Sequence, residues 1–414
     1  MGGNQSDLSD LSDLSDLSDL IELRQRHEGT IMDISFIIPA YKPVSEWLVT
    51  CVRSVIRAAE LHPQLEWEIL IGDDGSPGNS FNCADELRAL SPQIQLFRFP
   101  ENRGPGAARN DLISRASGRY VIPQDCDDIM LPFDLSRVVK FMDEHPEYVA
   151  SYAEKYCFNE NGLLNECHGD AQSSFCAFFQ PRVNINGMFI RRKELLEIGG
   201  FMPLPFSRIN EDVRLIFRLF EHSQLHFDCE PRVLYRKHSS QITVNSTTGQ
   251  NDWRWMAQEM LLRHADIVRE LMCGRMPYGK DEQQERIIGG LSGALIFLHQ
   301  ADRSLGMALF EEYIRRHPED FGGWESYMIF AMIHKDEKLF EKVYSQAMEK
   351  FAGMPYRQRY FVDSALKNAQ MHKRELTALF SLYNELVKQC EVIPETVAAN
   401  VPKPVRPKYS WNFR

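Results

Sequence analysis

Between residue 31 and about residue 125, short β-rich runs alternate with helical stretches, and this pattern restricts the fold more than any other feature of the chain. "DISFIIPAY" (33–41) reads as a strand, residues 45–61 as a helix, and "WEILIGDDGS" (67–76) as a strand closing in turn residues. A helix near 82–90, the strand "IQLFRF", the helix "GPGAARNDLISRA" and the strand "RYVIPQD" follow. Strands alternating with helices of about 10–15 residues imply a largely parallel sheet with helices on both faces. Ligands of such sheets bind at the carboxyl ends of the strands. The residues that close each strand are therefore the chemical candidates.

Beyond about residue 250 the strand signals vanish, and helical stretches begin near Met260, Glu285, Leu305, Phe321, Glu337, Arg357 and Lys373. The starts at 305, 337 and 373 lie 32 and 36 residues apart. That spacing suits stacked helical hairpins, and a plain bundle fits equally well. The chain thus divides into a leader (1–30), an α/β domain (31–250), a helical domain (251–390) and a tail (391–414). Its 414 residues are enough for these separate cores.

The leader contains five tandem Ser-Asp-Leu triplets, from Ser6 to Leu20. Successive leucines drift about 60° around a helix, so no fixed apolar face forms. It reads as a disordered or partly helical acidic segment, with a weak oligomerisation helix running into "IELRQRHE" as the alternative. The tail is proline-rich and basic, and reads as an exposed segment. In it, Trp411 and Phe413 lie beside Lys403, Arg406, Lys408 and Arg414, which leaves peripheral membrane or partner contact open.

The net charge of −11 argues against a nucleic-acid surface, which needs a basic stripe. Nine cysteines without a Cys-x-x-Cys pair give neither a disulfide framework nor a structural zinc site, and suit a reducing compartment. The N-terminus lacks the basic-then-apolar order of a signal peptide. The longest apolar stretch, "GGLSGALIFL" (289–298), is too short to span a bilayer. A cytoplasmic location is expected, with peripheral attachment at the inner face of the cell membrane left open.

The first strand closes in Pro39-Ala40-Tyr41, where proline stops the ladder and the tyrosine projects past the strand end. An aromatic there can stack on a base, although packed tyrosines are common. The second strand closes in Asp73-Asp74-Gly75-Ser76-Pro77. Turn chemistry explains the glycine and the proline, but not the paired acids, one of which can accept a hydrogen bond from a nucleobase. "ENRGPGAARN" (101–110) places a Gly-rich turn before a helix, with Arg109 one to two turns in, an arrangement suited to an anion.

At Asp125-Cys126-Asp127-Asp128 three carboxylates fall within four residues. In extended chain, residues i and i+2 share a side. Asp125 and Asp127 can then face one ligand, such as a divalent cation with positions open for phosphate oxygens. The competing structural reading makes Asp127 or Asp128 the cap of the helix "PFDLSRVVKFMDE". "INEDVRLIFRLF" (209–220) reads as a helix capped by Asn210, with Glu211 and Asp212 in its first turn and Val213, Ile216, Phe217 and Phe220 on its buried face. "VLYRKH" closes a strand in His238, a competent nitrogen ligand near a cation.

In order and approximate spacing, "FIIPAY", "GDDGS", "NRGPGAARN", "DCDD", "GGF" (199–201), "NED" and "YRKH" resemble the inverting family 2 glycosyltransferases, over about residues 32–240. The resemblance implies an α/β GT-A fold, the nucleotide-diphospho-sugar transferase architecture of a mostly parallel sheet flanked by helices, here followed by an all-α C-terminal domain. It also implies residue roles. Tyr41 and Asp74 hold the nucleobase, with Asp73 beside them, Pro39 shaping the pocket and Arg109 supporting it. Asp125 contacts the ribose region. Asp127 binds Mn²⁺ or Mg²⁺ on the diphosphate, with His238 as a further ligand. Asp212 is the general base, with Glu211 beside it near the acceptor.

Two positions depart from the family pattern: Lys42 stands where asparagine often follows the tyrosine, and Gln124 replaces an apolar residue. "QNDWRW" (250–255) has one residue too many for the Q-x-x-R-W of processive synthases, so a non-processive enzyme is expected. The expected activity is single transfer of a sugar, most simply from a UDP-linked donor, to a hydroxyl acceptor in bacterial surface polysaccharide or lipooligosaccharide synthesis. The acceptor is a glycan, a lipid-linked glycan or, in a second reading, a protein docked by the helical domain. A non-catalytic nucleotide-sugar-binding scaffold is the third reading. Homo-oligomerisation stays open.

Overall fold

The computed structural model describes residues 32–168, 172–175, 177–178, 182–204, 210–241, 256, 259–298 and 303–352. The Ser-Asp-Leu leader, "QNDWRW", the helical stretches from Arg357 and Lys373 and the basic tail lie outside the described residues.

The first strand, β1 (Ile34–Ala40), is buried along its whole length, as an apolar run in the middle of a sheet must be. Parallel neighbours flank it on both sides, β2 (Trp67–Asp73) and β4 (Tyr120–Pro123), and β3 (Ile94–Arg98) extends the sheet beyond β2 in parallel. Side chains alternate between two cores. Phe36, Ile38, Ile69 and Ile71 face helix α1 (Ser45–Glu60), whose Leu48, Val52, Val55 and Ala59 recur at helical spacing. Ile37, Leu70 and Val121 face the opposite way, onto Ala108 and Leu112 of α3 (Pro105–Arg115). The short helix α2 (Ala84–Leu90) connects β2 to β3.

Beyond β4 the sheet becomes mixed. Its order is β3-β2-β1-β4-β8-β6-β9-β5, with β7 paired to β6. The strand β8 (Phe189–Arg191) runs antiparallel to both β4 and β6 (Tyr148–Asn159). In turn, β6 forms a hairpin with β7 (Gly162–His168) and lies parallel to β9 (Gln224–Arg236), while β5 (Ile129–Met130) pairs antiparallel with β9. The parallel expectation therefore holds for β1 to β4 and for the β6–β9 pair.

Helix α4 (Leu135–Glu144) corrects one expectation. Its cap is Asp134, which accepts the Arg137 N–H at 3.0 Å, and neither Asp127 nor Asp128 caps it. Helices α5 (Arg192–Glu197) and α6 (Glu211–His222) complete the α/β part. Asn210 precedes α6 as expected, but in a left-handed conformation and without a side-chain cap bond.

The helical part comprises α7 (Ala265–Met272), α8 (Glu282–Leu298), α9 (Arg303–Arg316), α10 (Phe321–Ile333) and α11 (Glu337–Lys350). Two features join it to the α/β part. Phe217 and Phe220 of α6 share a core with Leu271 of α7 and Ile287 and Leu291 of α8. Phe175, from the segment before β8, packs its ring 4.7 Å from Tyr313 and donates its backbone N–H to Asp320 at 3.2 Å. Gly293 makes that approach possible, because a Cβ there would lie 1.6 Å from the Phe175 carbonyl oxygen. Among the described residues, no helix is long and apolar enough to cross a membrane.

Candidate active site

The carboxyl ends of β1, β2 and β4 lie side by side, as parallel pairing requires, and they gather the first group of candidates. The Asp74 N–H donates to the Ala40 carbonyl at 2.8 Å, tying the end of β2 to that of β1. Pro39 is within β1, and Tyr41 leaves the strand end with 42% of its surface exposed. Lys42, in a left-handed conformation, donates its N–H to Ser76 at 2.8 Å and places its ammonium 5.1 Å from the Tyr41 ring centroid.

Asp73 is fully buried and accepts the Ser76 N–H at 2.9 Å. Its second oxygen lies 3.3 Å from Arg98 Nε, a charge contact without hydrogen-bond alignment. Asp74 accepts the N–H groups of Arg103 and Gly104 at 3.1 and 2.9 Å. The Gly-rich turn thus does cradle an anion, and that anion is the chain's own Asp74 carboxylate.

Arg109 reaches from α3 into the centre of the site and is 6% exposed. It donates Nη1 to Glu211 at 2.8 Å and Nη2 to Asp125 at 2.7 Å, with Phe201 5.1 Å from the guanidinium. α3 comes this close to α6 because position 106 is glycine: a Cβ there would lie 2.6 Å from Glu211 Cγ. Burial pushes the Glu211 carboxyl up to about 7, with Arg109 opposing and Asp212 adding to the rise. Asp212 is less buried and accepts the Val213 N–H at 2.9 Å.

The acidic turn assigns a different partner to each carboxylate. The Asp128 N–H donates to the Asp125 carbonyl at 3.2 Å, so the segment turns instead of running extended. The i, i+2 argument therefore does not hold here. Asp125 faces Arg109. Asp127 shares a hydrogen bond with His238 Nε2 at 2.9 Å, just beyond the end of β9. Burial, then the neighbouring Asp125 charge, raises the Asp127 pKa. Asp128 is fully buried, accepting Asn186 Nδ2 and the Arg236 N–H, the latter at 2.7 Å. It holds the turn to β9 and does not start a helix.

Several residues of this site carried no sequence signal of their own. Asn186 accepts the Asp125 N–H at 3.1 Å. Arg236 donates to the Asp127 carbonyl at 2.8 Å and lies between the rings of Trp47 and Phe158, at 4.8 and 4.5 Å. Trp47 also packs its ring 4.8 Å from that of His238. Among the described residues, no group of three or more His, Cys, Asp and Glu side chains is placed to hold a metal. Asp127 and His238 offer two donors.

Residues 35–200 match the family described as Glycosyl transferase family 2. This stretch is a family 2 glycosyltransferase domain. It contains the strand ends, the Arg109 helix and the acidic turn, while α6 and His238 follow it in the chain. The chain is similar over part of its length to an uncharacterized glycosyltransferase of Rickettsia conorii, 32% identical over 135 residues, which are 32% of this chain and 21% of that protein. It is also similar to the succinoglycan biosynthesis protein ExoO of Rhizobium meliloti, 32% identical over 118 residues, 27% of this chain and 30% of ExoO. The chain therefore spans less than a third of the length of either relative. Among solved structures, S. aureus TarS 1-349 in complex with UDP-GlcNAc aligns at a TM-score of 0.47 and 17% identity, covering 86% of this chain and 92% of that one.

Proposed function

We propose that the protein is a metal-dependent, inverting, non-processive glycosyltransferase that moves one sugar from a nucleotide-sugar donor, with UDP the expected carrier, to a hydroxyl acceptor. The observation that carries this reading is the Arg109 bridge, in which the Asp125 turn and the start of α6 are held by the two terminal nitrogens of one guanidinium. A donor-side group of acids and a separate acid for the acceptor are what a single displacement requires.

In this reading Tyr41, Asp73 and Asp74, with Pro39 and Arg109 behind them, form the nucleotide end, and Asp125 lies toward the ribose. The acceptor hydroxyl attacks the anomeric carbon on the face opposite the diphosphate. Its oxygen–carbon bond forms as the carbon–oxygen bond to phosphate breaks. The released electron pair stays on the phosphoryl oxygen, and the hydroxyl proton passes to a carboxylate. Asp212 suits that role better than Glu211, which is 5% exposed and tied to Arg109.

Asp127 and His238 fit a divalent cation. A carboxylate oxygen and an imidazole nitrogen lie 2.9 Å apart, and the carboxylate is crowded by a second acid whose repulsion a cation would relieve. When bound, Mn²⁺ or Mg²⁺ supplies positive charge to the departing diphosphate. The name of ExoO supports a setting in glycan assembly.

The test is hydrolysis of a panel of UDP-sugars by purified protein with added Mn²⁺, Mg²⁺ or EDTA. Slow hydrolysis that needs metal and is lost in Asp127→Ala is expected. Turnover that persists in EDTA, or an unaffected variant, would sink the metal assignment.

A further inference from the structure

Lys155 lies on β6, in register with Val233 of β9, and the reaction as described above does not use it. Its ammonium donates to Asn184 Oδ1 at 3.3 Å and sits 3.8 Å from the Tyr235 ring centroid. Asn184 Nδ2 donates in turn to the Asn186 carbonyl at 3.4 Å, and the Asn186 side chain bonds both Asp125 N–H and Asp128. Lys155 is therefore linked to the acidic turn through two asparagines, Asn184 and Asn186, and Asp128, Asp125 and Asp212 all act on its charge.

We propose that Lys155 is a resident cation of the donor site, binding a non-bridging phosphoryl oxygen of the nucleotide's diphosphate and taking up part of its charge as the sugar leaves. The inference rests on the glycosyltransferase reading and adds a phosphate-binding residue to it. Three observations support it. First, Lys155 forms no ion pair among the described residues, only one long hydrogen bond and an aromatic contact. A partly buried ammonium without a counter-ion is costly, and desolvation holds its pKa below the usual lysine range. A ligand bearing negative charge would offset that cost.

Second, the nearby guanidinium cations are already engaged. Arg109 is divided between Asp125 and Glu211, and Arg236 is fixed between two rings on the Asp127 carbonyl. Third, Lys155 is not needed to neutralise Asp128 by contact, because the two oxygens of that carboxylate take Asn186 and the Arg236 N–H. An ammonium has three donors, and a diphosphate entering a site lined by carboxylates needs a positive partner on the protein.

The experiment is titration of UDP and of uridine, each with Mn²⁺, onto the full chain and its Lys155→Met and Lys155→Arg variants, with melting temperatures measured alongside. Methionine keeps the length and removes the charge. Lys155→Met should weaken UDP at least about tenfold, which corresponds to about 1.4 kcal/mol, and leave uridine within about twofold. Lys155→Arg should recover most of the UDP affinity. Unchanged UDP affinity in Lys155→Met overturns the proposal, and so does an equal loss of UDP and uridine. If Lys155→Met unfolds, Lys155→Gln decides: lost UDP affinity with wild-type uridine affinity supports a charge contact, and unchanged UDP affinity overturns it. If the wild-type chain binds none of UDP, ADP, GDP and CDP, the glycosyltransferase reading fails and this inference falls with it. Binding by the wild type with no loss in the variant removes only the role of Lys155.

Discussion

Arg109 and Glu211, 102 residues apart in the chain, meet at 2.8 Å in a buried ion pair that joins α3 to the first residue of α6. The same guanidinium holds Asp125 with its other nitrogen. The planar fork presents a separate, fixed nitrogen to each carboxylate. Lysine at this position is a compact point charge that does not reproduce the fixed two-nitrogen geometry. Arg109→Lys is expected to lower donor hydrolysis at least about tenfold, with a smaller loss of stability. Arg109→Leu leaves two acids unpaired and should cost about 3–5 kcal/mol by urea denaturation. Wild-type hydrolysis in Arg109→Lys would mean that the bridge does not position the site.

The raised Glu211 pKa makes stability depend on pH in a fixed direction. Its folded-state value of about 7 lies above the ordinary carboxylate value of 4.5. The folded chain therefore binds the proton more tightly than the unfolded chain does. That contribution is fully present below about pH 4.5 and is lost as pH rises through about 7. Glu211→Gln removes the titrating group. Relative to wild type, the variant should gain on the order of 2 kcal/mol between pH 5 and pH 8, since one pKa unit is about 1.4 kcal/mol. Parallel stability profiles for the two proteins would contradict the assignment.

Asp212→Asn tests the division of labour within α6. The amide keeps the size and the hydrogen bond to Val213 but cannot take a proton. Transfer to acceptor should fall about 10²–10⁴-fold, the usual contribution of general-base catalysis. UDP affinity should stay within about twofold of wild type. Transfer near the wild-type rate would place the base elsewhere.

The strand ends were legible because parallel sheets confine function to that edge, and because "IPAY" and "GDDG" break apolar runs with residues that pack poorly in a core. Element boundaries from β1 to β4 followed for the same reason. What the sequence hid were contacts made across long separations. Asn184 and Asn186 sit in an irregular segment with no period to mark them, and β8 is three residues long and antiparallel, too short for an alternation signal. Asp128 read as a helix start because acids precede helices so often, whereas its partners lie 58 and 108 residues away. Arg109 was recognisable as a candidate. Its division between two carboxylates was not, since that depends on how closely a glycine lets two helices approach.

The segment bearing Asn184 and Asn186 is anchored from the helical side, which gives α10 a part in the geometry of the site. Arg182 pairs with Glu325 of α10, both side chains being buried, and the Arg182 guanidinium lies 5.8 Å from the Phe321 ring centroid. Phe175 is enclosed by Phe310 and Tyr313 on the same side. Breaking a buried pair by removing one member is destabilising, whereas replacing both by apolar residues is often neutral. Glu325→Gln should therefore lower stability by about 3 kcal/mol, and Arg182→Leu with Glu325→Leu should recover most of it. The loosened segment in Glu325→Gln should also weaken UDP binding, because Asn186 helps to fix the Asp125 turn. Unfolding midpoints and UDP affinity measured on the same preparations separate the two effects. A destabilised variant with wild-type UDP affinity would make α10 a support for the fold alone.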